Sequence, residues 1–515
     1  MISRRQAVTW LGAGLASSTM GLGAASPAAS RRARERLNPW GTYDAYLDKA
    51  RADWRVPGLS VAIVRDGALV YAKGFGVGSV DTNQPVTADT LFNAGSTTKA
   101  FTAAGIAMLV DQKKLDWDAP VSDYLPSFRL GQNGDYASTS LRDMMSHRTG
   151  LARHDLVWYN NKELSLPDLV SRIPYLETFA PLRAQYQYNN LMVMLAGHAL
   201  ERASGLSWEE FTTSAILRPL GMTRSNLSCQ DMDRDGNAAF GHRLNDSKAA
   251  YAIARRPEDR IGPAGALNAS VNDYAKWMLV QLGKGSAGGV QLFSARQSNN
   301  MWEPLINTGG VPTNPELSRG FYGLGWRIDT YRGITRVAHG GNLNGFASRV
   351  SLFPEKNIGI VAFTNLGASP LPGHVTLDML DMMLGLEPAN SSTRSLERRN
   401  ASEGKAPLTT GPTHIMATTP SRPLALFAGR FHHKGYGDMM IEAKPVGLFA
   451  SYNAMPMQLQ HWHYDVFNAL PLRGEDADLK DTKFVFQADA EGKISSLNAK
   501  MDEDVPPTIF ERVTS

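Results

Sequence analysis

Ser96 and Lys99 are the residues on which chemistry can be built. They lie in Phe92-Asn93-Ala94-Gly95-Ser96-Thr97-Thr98-Lys99, just ahead of a run of helix formers from Ala100 to Val110. Residues three apart share a helix face, so a hydroxyl and an amine can meet within one turn. A serine is a poor nucleophile at its own pKa and needs a base beside it. A lysine serves as that base only when burial or nearby positive charge leaves it neutral, and a helix N-terminus supplies positive potential at this place. On its own, S-x-x-K is more often a helix cap next to a solvated lysine, so the rest of the chain decides.

Tyr188 and Asn190 form a second candidate pair. They stand in Tyr186-Gln187-Tyr188-Asn189-Asn190, before an apolar helix that runs from Leu191 to Ala203 and stops at Ser204-Gly205. A phenol beside a neutral amine can pass a proton along. The plainer fate of a tyrosine is to pack in the core with its hydroxyl on a carbonyl. A third candidate is His339-Gly340-Gly341-Asn342, followed by β-rich stretches through Phe353 and from Ile358 to Asn365. Its glycines allow close approach to the backbone.

The elements that must position these groups are legible in outline. Leu59–Val64 and Ala68–Gly76 flank Arg65-Asp66-Gly67 and read as a hairpin. Leu141 to Thr149 reads as a short helix ending at Gly150, and the chain to about residue 300 as helices and long loops. From Leu386 to about Pro423, serine, arginine and proline replace apolar residues, which reads as a linker. Beyond it, short strands from Phe427 to Leu497 alternate with turns, as in a small barrel or sandwich.

The order S-x-x-K, Y-x-N, H-G-G resembles the serine β-lactamase and penicillin-binding-protein superfamily, in its class C, D-Ala-D-Ala carboxypeptidase and esterase branch. The likeness covers roughly residues 40 to 385. It includes Pro219-Leu220-Gly221-Met222 and Gly262 to Leu267 leading to Asp273. It implies an α+β fold: an antiparallel sheet built from both chain ends, flanked by helices, with an all-helical insert. It implies Ser96 as nucleophile, Lys99 and Tyr188 as proton carriers, Asn190 orienting the substrate amide and His339 lining the cleft as a donor. The oxyanion would rest on the backbone N–H groups of Ser96 and of the strand near Asn342, with Gly340 and Gly341 beside the substrate. His339 stands where true β-lactamases carry Lys, and Gly340 where they carry a hydroxyl residue. Both departures point towards the esterase and peptidase members. As a cleft donor, His339 would tolerate exchange for Lys. The tail resembles the lipocalin-like domain of some members.

The expected organisation is therefore a signal peptide over 1–29, a catalytic domain over 35–385, a linker over 386–423 and a β-barrel over 424–515. Arg4-Arg5 before an acid-free apolar stretch, with small residues from Ala24 to Ala29, resembles a twin-arginine export signal and implies a periplasmic or extracellular enzyme. The single cysteine, Cys229, rules out an intramolecular disulfide. A net charge of +4 over 515 residues, with no basic helix, argues against nucleic acid. No later stretch is apolar enough to span a bilayer. No metal or cofactor is expected. Asp231 to Gly236 imitates a calcium loop but offers His242 where a bidentate Glu is needed. His432, His433, His461 and His463 lack acidic or cysteine company. The expected reaction is acyl transfer on amides or esters, including peptides with D-residues. The rival is a receptor that binds peptidoglycan fragments on the same scaffold without turnover.

Overall fold

A computed structural model describes residues 39–131, 136–256, 259–402, 414–473 and 479–513. The stretch read as a signal peptide lies outside them. The first described helix is α1 (Pro39–Asp53). An eight-stranded antiparallel sheet follows: β1 (Gly58–Arg65), β2 (Ala68–Gly76), β3 (Ile306–Asn307), β4 (Phe321–Tyr322), β5 (Arg327–Tyr331), β6 (Ile334–Leu343), β7 (Phe346–Phe353) and β8 (Ile358–Thr364). Its order is β3-β4-β5-β6-β7-β8-β1-β2, so strands from both ends of the domain meet where β1 pairs with β8. The hairpin around Asp66-Gly67 forms as expected, with Asp66 and Gly67 both at positive φ.

β8 is buried at every position and β1 at all but its last, with no alternation. Helices cover both sheet faces. Ser351 on β7 bonds Thr376 of α6 (Leu371–Leu384), and Met278 of α5 (Val271–Leu282) lies over Gly359, which is paired with Leu352. Adjacent strand residues point to opposite faces, so α5 and α6 lie on opposite sides. The central helix α2 (Lys99–Asp111) is buried on nearly every face, as an apolar helix without a polar stripe must be. Its neighbours include α4 (Asn190–Ser204), while the short helix α3 (Leu141–Met145) also packs on α4.

The stretch read as a linker departs from that reading in its first half. Residues Ser391–Ser402 form a helix, α7. Asp378 on α6 accepts from the backbone N–H groups of Ser391 and Ser392 at 2.7 and 3.0 Å, so a carboxylate from a neighbouring helix satisfies the orphan donors of its first turn. Arg394 then pairs with Glu316 through both guanidinium nitrogens, at 2.9 and 2.6 Å. Low apolar content concealed a helix held by charge.

The last region is a closed eight-stranded barrel: β9 (Gly429–His433), β10 (Gly437–Lys444), β11 (Gly447–Tyr452), β12 (Met455–His463), β13 (Val466–Pro471), β14 (Lys483–Ala488), β15 (Ile494–Ala499) and β16 (Thr508–Arg512). Each strand pairs with the next, and β16 returns to β9. Alternation along β11 sends Leu448, Ala450 and Tyr452 inward, with Met439, Met455, Met457 and Phe467 buried beside them. The barrel rests on the loop that follows α3. The Tyr452 hydroxyl and Asn453 Nδ2 donate to the Leu156 carbonyl at 3.0 and 2.8 Å, and Asn160 Nδ2 donates to the Asn453 carbonyl at 2.6 Å.

Candidate active site

Ser96 lies in a 3₁₀ turn, Gly95–Thr98, that runs directly into α2. The turn is tied at several points. Asn93 Oδ1 accepts from Gly95 N at 2.9 Å, Ala94 N donates to the Leu267 carbonyl, and Ser348 Oγ on β7 donates to the Ala94 carbonyl at 2.7 Å. β6 passes close beside it. A Cβ on Gly341 would collide with the Ala94 carbonyl oxygen, and one on Gly95 would stand 3.0 Å from Asn342 N. Gly341 is thus required by close approach. Gly340 is less constrained, since its nearest obstacle is the Arg349 guanidinium at 3.2 Å.

Lys99 is completely buried. Its Nζ lies 3.0 Å from Ser96 Oγ, 2.7 Å from Asn190 Oδ1 and 2.8 Å from the Ala264 carbonyl oxygen. Burial pushes its pKa well below the usual lysine value. Asp155 pulls it back up and Arg153 pushes it further down. A neutral amine has two N–H groups. Asn190 and Ala264 accept both, which leaves the lone pair facing the Ser96 hydroxyl. An amine so held can accept the Ser96 proton.

Tyr188 hydrogen-bonds Ser96, and burial raises its phenol above the ordinary value. It therefore stays an O–H group at neutral pH, suited to relaying a proton rather than to acting as a standing base. Its ring lies 4.9 Å from Lys99 Nζ, centroid to atom. α4 starts at Asn190, one residue earlier than the apolar pattern from Leu191 implies, and is preceded by Asn189. That residue is the N-cap and accepts from Met192 N at 2.9 Å, so Asn190 becomes the first helical residue and turns its amide inward. Asn190 Nδ2 donates to Asp155 Oδ1 at 2.9 Å. Its amide is thereby engaged by Lys99 and Asp155 together.

His339 departs from its expected role. It is buried, its Nδ1 donates to the Gly340 carbonyl at 2.7 Å and its Nε2 accepts from the Tyr322 hydroxyl at 2.6 Å. Burial and the neighbouring Lys99 lower its pKa to about 3, so the ring is neutral. Both ring nitrogens are occupied within the protein, and His339 braces the strand instead of offering a donor to the cleft. Asn342, three residues on, is exposed, and its side chain accepts from Ala368 N at 2.7 Å.

The cleft above Ser96 has a volume of about 470 Å³. One wall comes from Arg153, Asp155, Asn190 and Asn342, the other from the barrel through Lys480, Lys500 and Asp502 to Asp504. No motif or periodicity in the sequence marks Arg153, Asp155 or the barrel wall. Tyr322 and His147 were also missed. His147 packs 4.3 Å from the Tyr188 ring, centroid to centroid, and accepts from Asn189 N at 3.1 Å. The calcium-like stretch forms a short helix, Cys229–Arg234. The histidines of β12 lie beside a register shift, with Trp462 stacked on His414 at 4.2 Å.

The beta-lactamase family model matches residues 43–381. The protein belongs to the beta-lactamase family. A domain of unknown function, DUF3471, matches residues 413–512. Among curated relatives, the unguisins hydrolase ungD' of Aspergillus campestris is 32% identical over 418 residues, spanning 75% of each chain. Among solved structures, the octameric penicillin-binding protein homologue from Pyrococcus abyssi aligns with a TM-score of 0.60 at 22% identity, covering 92% of this chain and 99% of that one. The class C beta lactamase from Rhodobacter sphaeroides aligns at 0.52 and 21% identity, covering 67% and 98%. These structural likenesses establish the β-lactamase/transpeptidase-like fold, and with the family they make this chain a serine hydrolase. Among the described residues, no helix is long and apolar enough to cross a membrane.

Proposed function

We propose that the protein is an exported hydrolase that cleaves amide or ester bonds, including those of peptides with D-residues, through an acyl-enzyme on Ser96. One observation carries the reading: Lys99 Nζ is buried, 3.0 Å from Ser96 Oγ, with both its amine hydrogens taken up by Asn190 and Ala264. Ser96 Oγ attacks the acyl carbon as its proton passes to Lys99 Nζ. The carbonyl oxygen gains negative charge and is received by the backbone N–H groups of Ser96 and Asn342. Each such donor is worth on the order of 10²–10³ in turnover. The proton returns through Tyr188 to the leaving nitrogen or oxygen, the bond breaks, and water then takes the leaving group's place to release the acid. The tied glycine turn supports this assignment, since it fixes the nucleophile against β6 before substrate binds.

A family relative named for hydrolysing unguisins supports hydrolase activity on that class of ligand as one arm of a screen. Export rests on the Arg4-Arg5 segment, and replacing both arginines by lysine should hold the precursor in the cytoplasm if the twin-arginine route is used. The function is tested with a fluorophosphonate probe and intact-mass detection, followed by screening of esters, D-amino acid amides and a chromogenic cephalosporin. A single adduct at Ser96, absent in Ser96→Ala, is expected. An unlabelled protein would leave a binding protein on a hydrolase scaffold, and an adduct on another serine would overturn the assignment of Ser96 as nucleophile.

A further inference from the structure

The segment Arg153-His154-Asp155 touches the reactive centre at both of its proton-handling side chains. Asp155 Oδ1 accepts from Asn190 Nδ2, whose own Oδ1 accepts from Lys99 Nζ. Trp158 Nε1 donates to the same Asp155 oxygen at 2.8 Å, and Arg153 pairs with the other. The Arg153 guanidinium also lies over the Tyr188 ring, 5.3 Å from its centroid. Between these two residues His154 adopts the left-handed conformation, φ 48° and ψ 36°. For a residue with a Cβ this backbone state is unfavourable, and it persists only where the surroundings hold it.

Two of the groups that hold it belong to the C-terminal barrel. His154 N donates to Asp502 Oδ2 at 2.6 Å, from the connection between β15 and β16. Its ring is fully buried. Nε2 donates to the Glu177 carbonyl at 2.8 Å, which leaves Nδ1 to accept from the Tyr436 hydroxyl at 2.7 Å. Burial pushes the Tyr436 phenol up, so it remains a donor. Two of the four hydrogen bonds fixing His154 therefore come from residues more than 280 positions away in the chain, the fourth being that of Val157 N to its carbonyl at 3.0 Å.

We infer that the barrel is a positioning element of the catalytic centre: Asp502 and Tyr436 clamp His154 in its left-handed state, and the clamp sets Asp155 and Arg153, and through them Lys99 and Tyr188. The inference rests on the assignment of Ser96 as nucleophile. It gives the barrel a part in the chemical step, beyond narrowing the cleft. Released from the clamp, the 153–155 segment relaxes, Asn190 loses its fixed acceptor and water reaches Lys99. The groups facing Lys99 are Asp155, which raises its pKa, Arg153, which lowers it, and the neutral rings of His147, His339 and Tyr188. Because burial is the largest of these influences, admitted water moves the Lys99 midpoint upward.

The test is the rate of Ser96 labelling by a small fluorophosphonate across pH, on the full chain. The variants are Asp502→Ala, Tyr436→Phe, the pair together, and Asp502→Asn, which keeps an oxygen acceptor. Circular dichroism and melting curves establish that each is folded. The double variant should be labelled about 10- to 100-fold more slowly, as expected for a reactive pair displaced by an ångström or less, with its pH midpoint shifted upward. Asp502→Asn should stay within about threefold of wild type. Unchanged rates and midpoints in folded variants would overturn the inference, as would a slower rate with an unmoved midpoint, since general loosening gives that. If the double variant does not fold, Asp502→Ala against Asp502→Asn decides by the same criteria. Failure of the wild type to label at Ser96 would instead overturn the nucleophile assignment.

Discussion

The two walls of the cleft are held in different ways. On the catalytic side, Lys99 and His339 are enclosed and every hydrogen-bonding atom of theirs described above has a partner within the protein. On the barrel side, Lys480, Glu503 and Asp504 are exposed. Enclosure makes a charge expensive, so Lys99 and His339 have lowered pKa values, which suits proton transfer at neutral pH. Exposure leaves ordinary charges in water, where a pairwise interaction is worth little and exchange is tolerated. The enclosed proton-handling groups and the exposed charges thus sit on separate parts of the chain, which meet where Asp502 and Tyr436 hold His154.

The comparison is broken most severely at the nucleophile. Ser96→Ala should lower turnover by at least about 10⁴, because the residues of a covalent unit fail together. Lys99→Ala should cost about as much while the protein stays folded, as measured by turnover and circular dichroism. The rate in wild type should rise with pH through the lowered Lys99 value and level off above it. Below that value the amine is protonated and cannot accept the serine proton.

A second break concerns His339. The buried ring predicts that His339→Lys loses stability, on the order of 3 kcal/mol, because an ammonium would be enclosed without a carboxylate partner. Denaturant unfolding of wild type and variant measures this. A variant as stable as wild type with altered substrate choice would restore the cleft-donor role.

The same ring gives a pH dependence of stability. Its folded value of about 3 lies below the ordinary histidine value. Between those limits the unfolded chain binds a proton that the folded chain does not. Stability from this group is therefore complete above about pH 6.5 and declines as pH falls towards 3. His374, lowered to about 4 by burial, adds to the same decline. His339→Gln should flatten the acid limb of a melting-temperature profile without abolishing it. An unchanged slope would mean that His339 is already charged in the fold.

The smallest effect is expected on the barrel wall. Lys480→Ala and Glu503→Ala should change KM for a peptide by a few-fold, roughly 0.5–1 kcal/mol, and leave the turnover of a small ester unchanged. A large loss of ester turnover in either would erase the distinction between the walls. Met439, Met455, Met457 and Phe467 fill the barrel interior, while docking is made by Tyr436, Tyr452, Asn453, Asp502 and Asp504.

What the sequence by itself determined is local or periodic. The Ser96–Lys99 spacing needs only one helical turn, the Asp66-Gly67 hairpin needs only a turn signal, and seven of the barrel strands announce themselves by alternation between turns. The last strand, Thr508–Arg512, carries two charges in five residues and does not stand out. Tertiary structure decided which of the chemical side chains are neutral and which are spent. Lys99 is placed to act as a base because Asn190 and Ala264 accept its hydrogens from 91 and 165 residues away. His339 is a brace because Tyr322 reaches it from the neighbouring part of the sheet. Asp155 and Asp502 carry no periodic mark at all. A hydrogen bond between distant residues leaves no trace in composition or spacing, and the desolvation that displaces the pKa values of Lys99, Tyr188 and His339 exists only once the chain has folded around them.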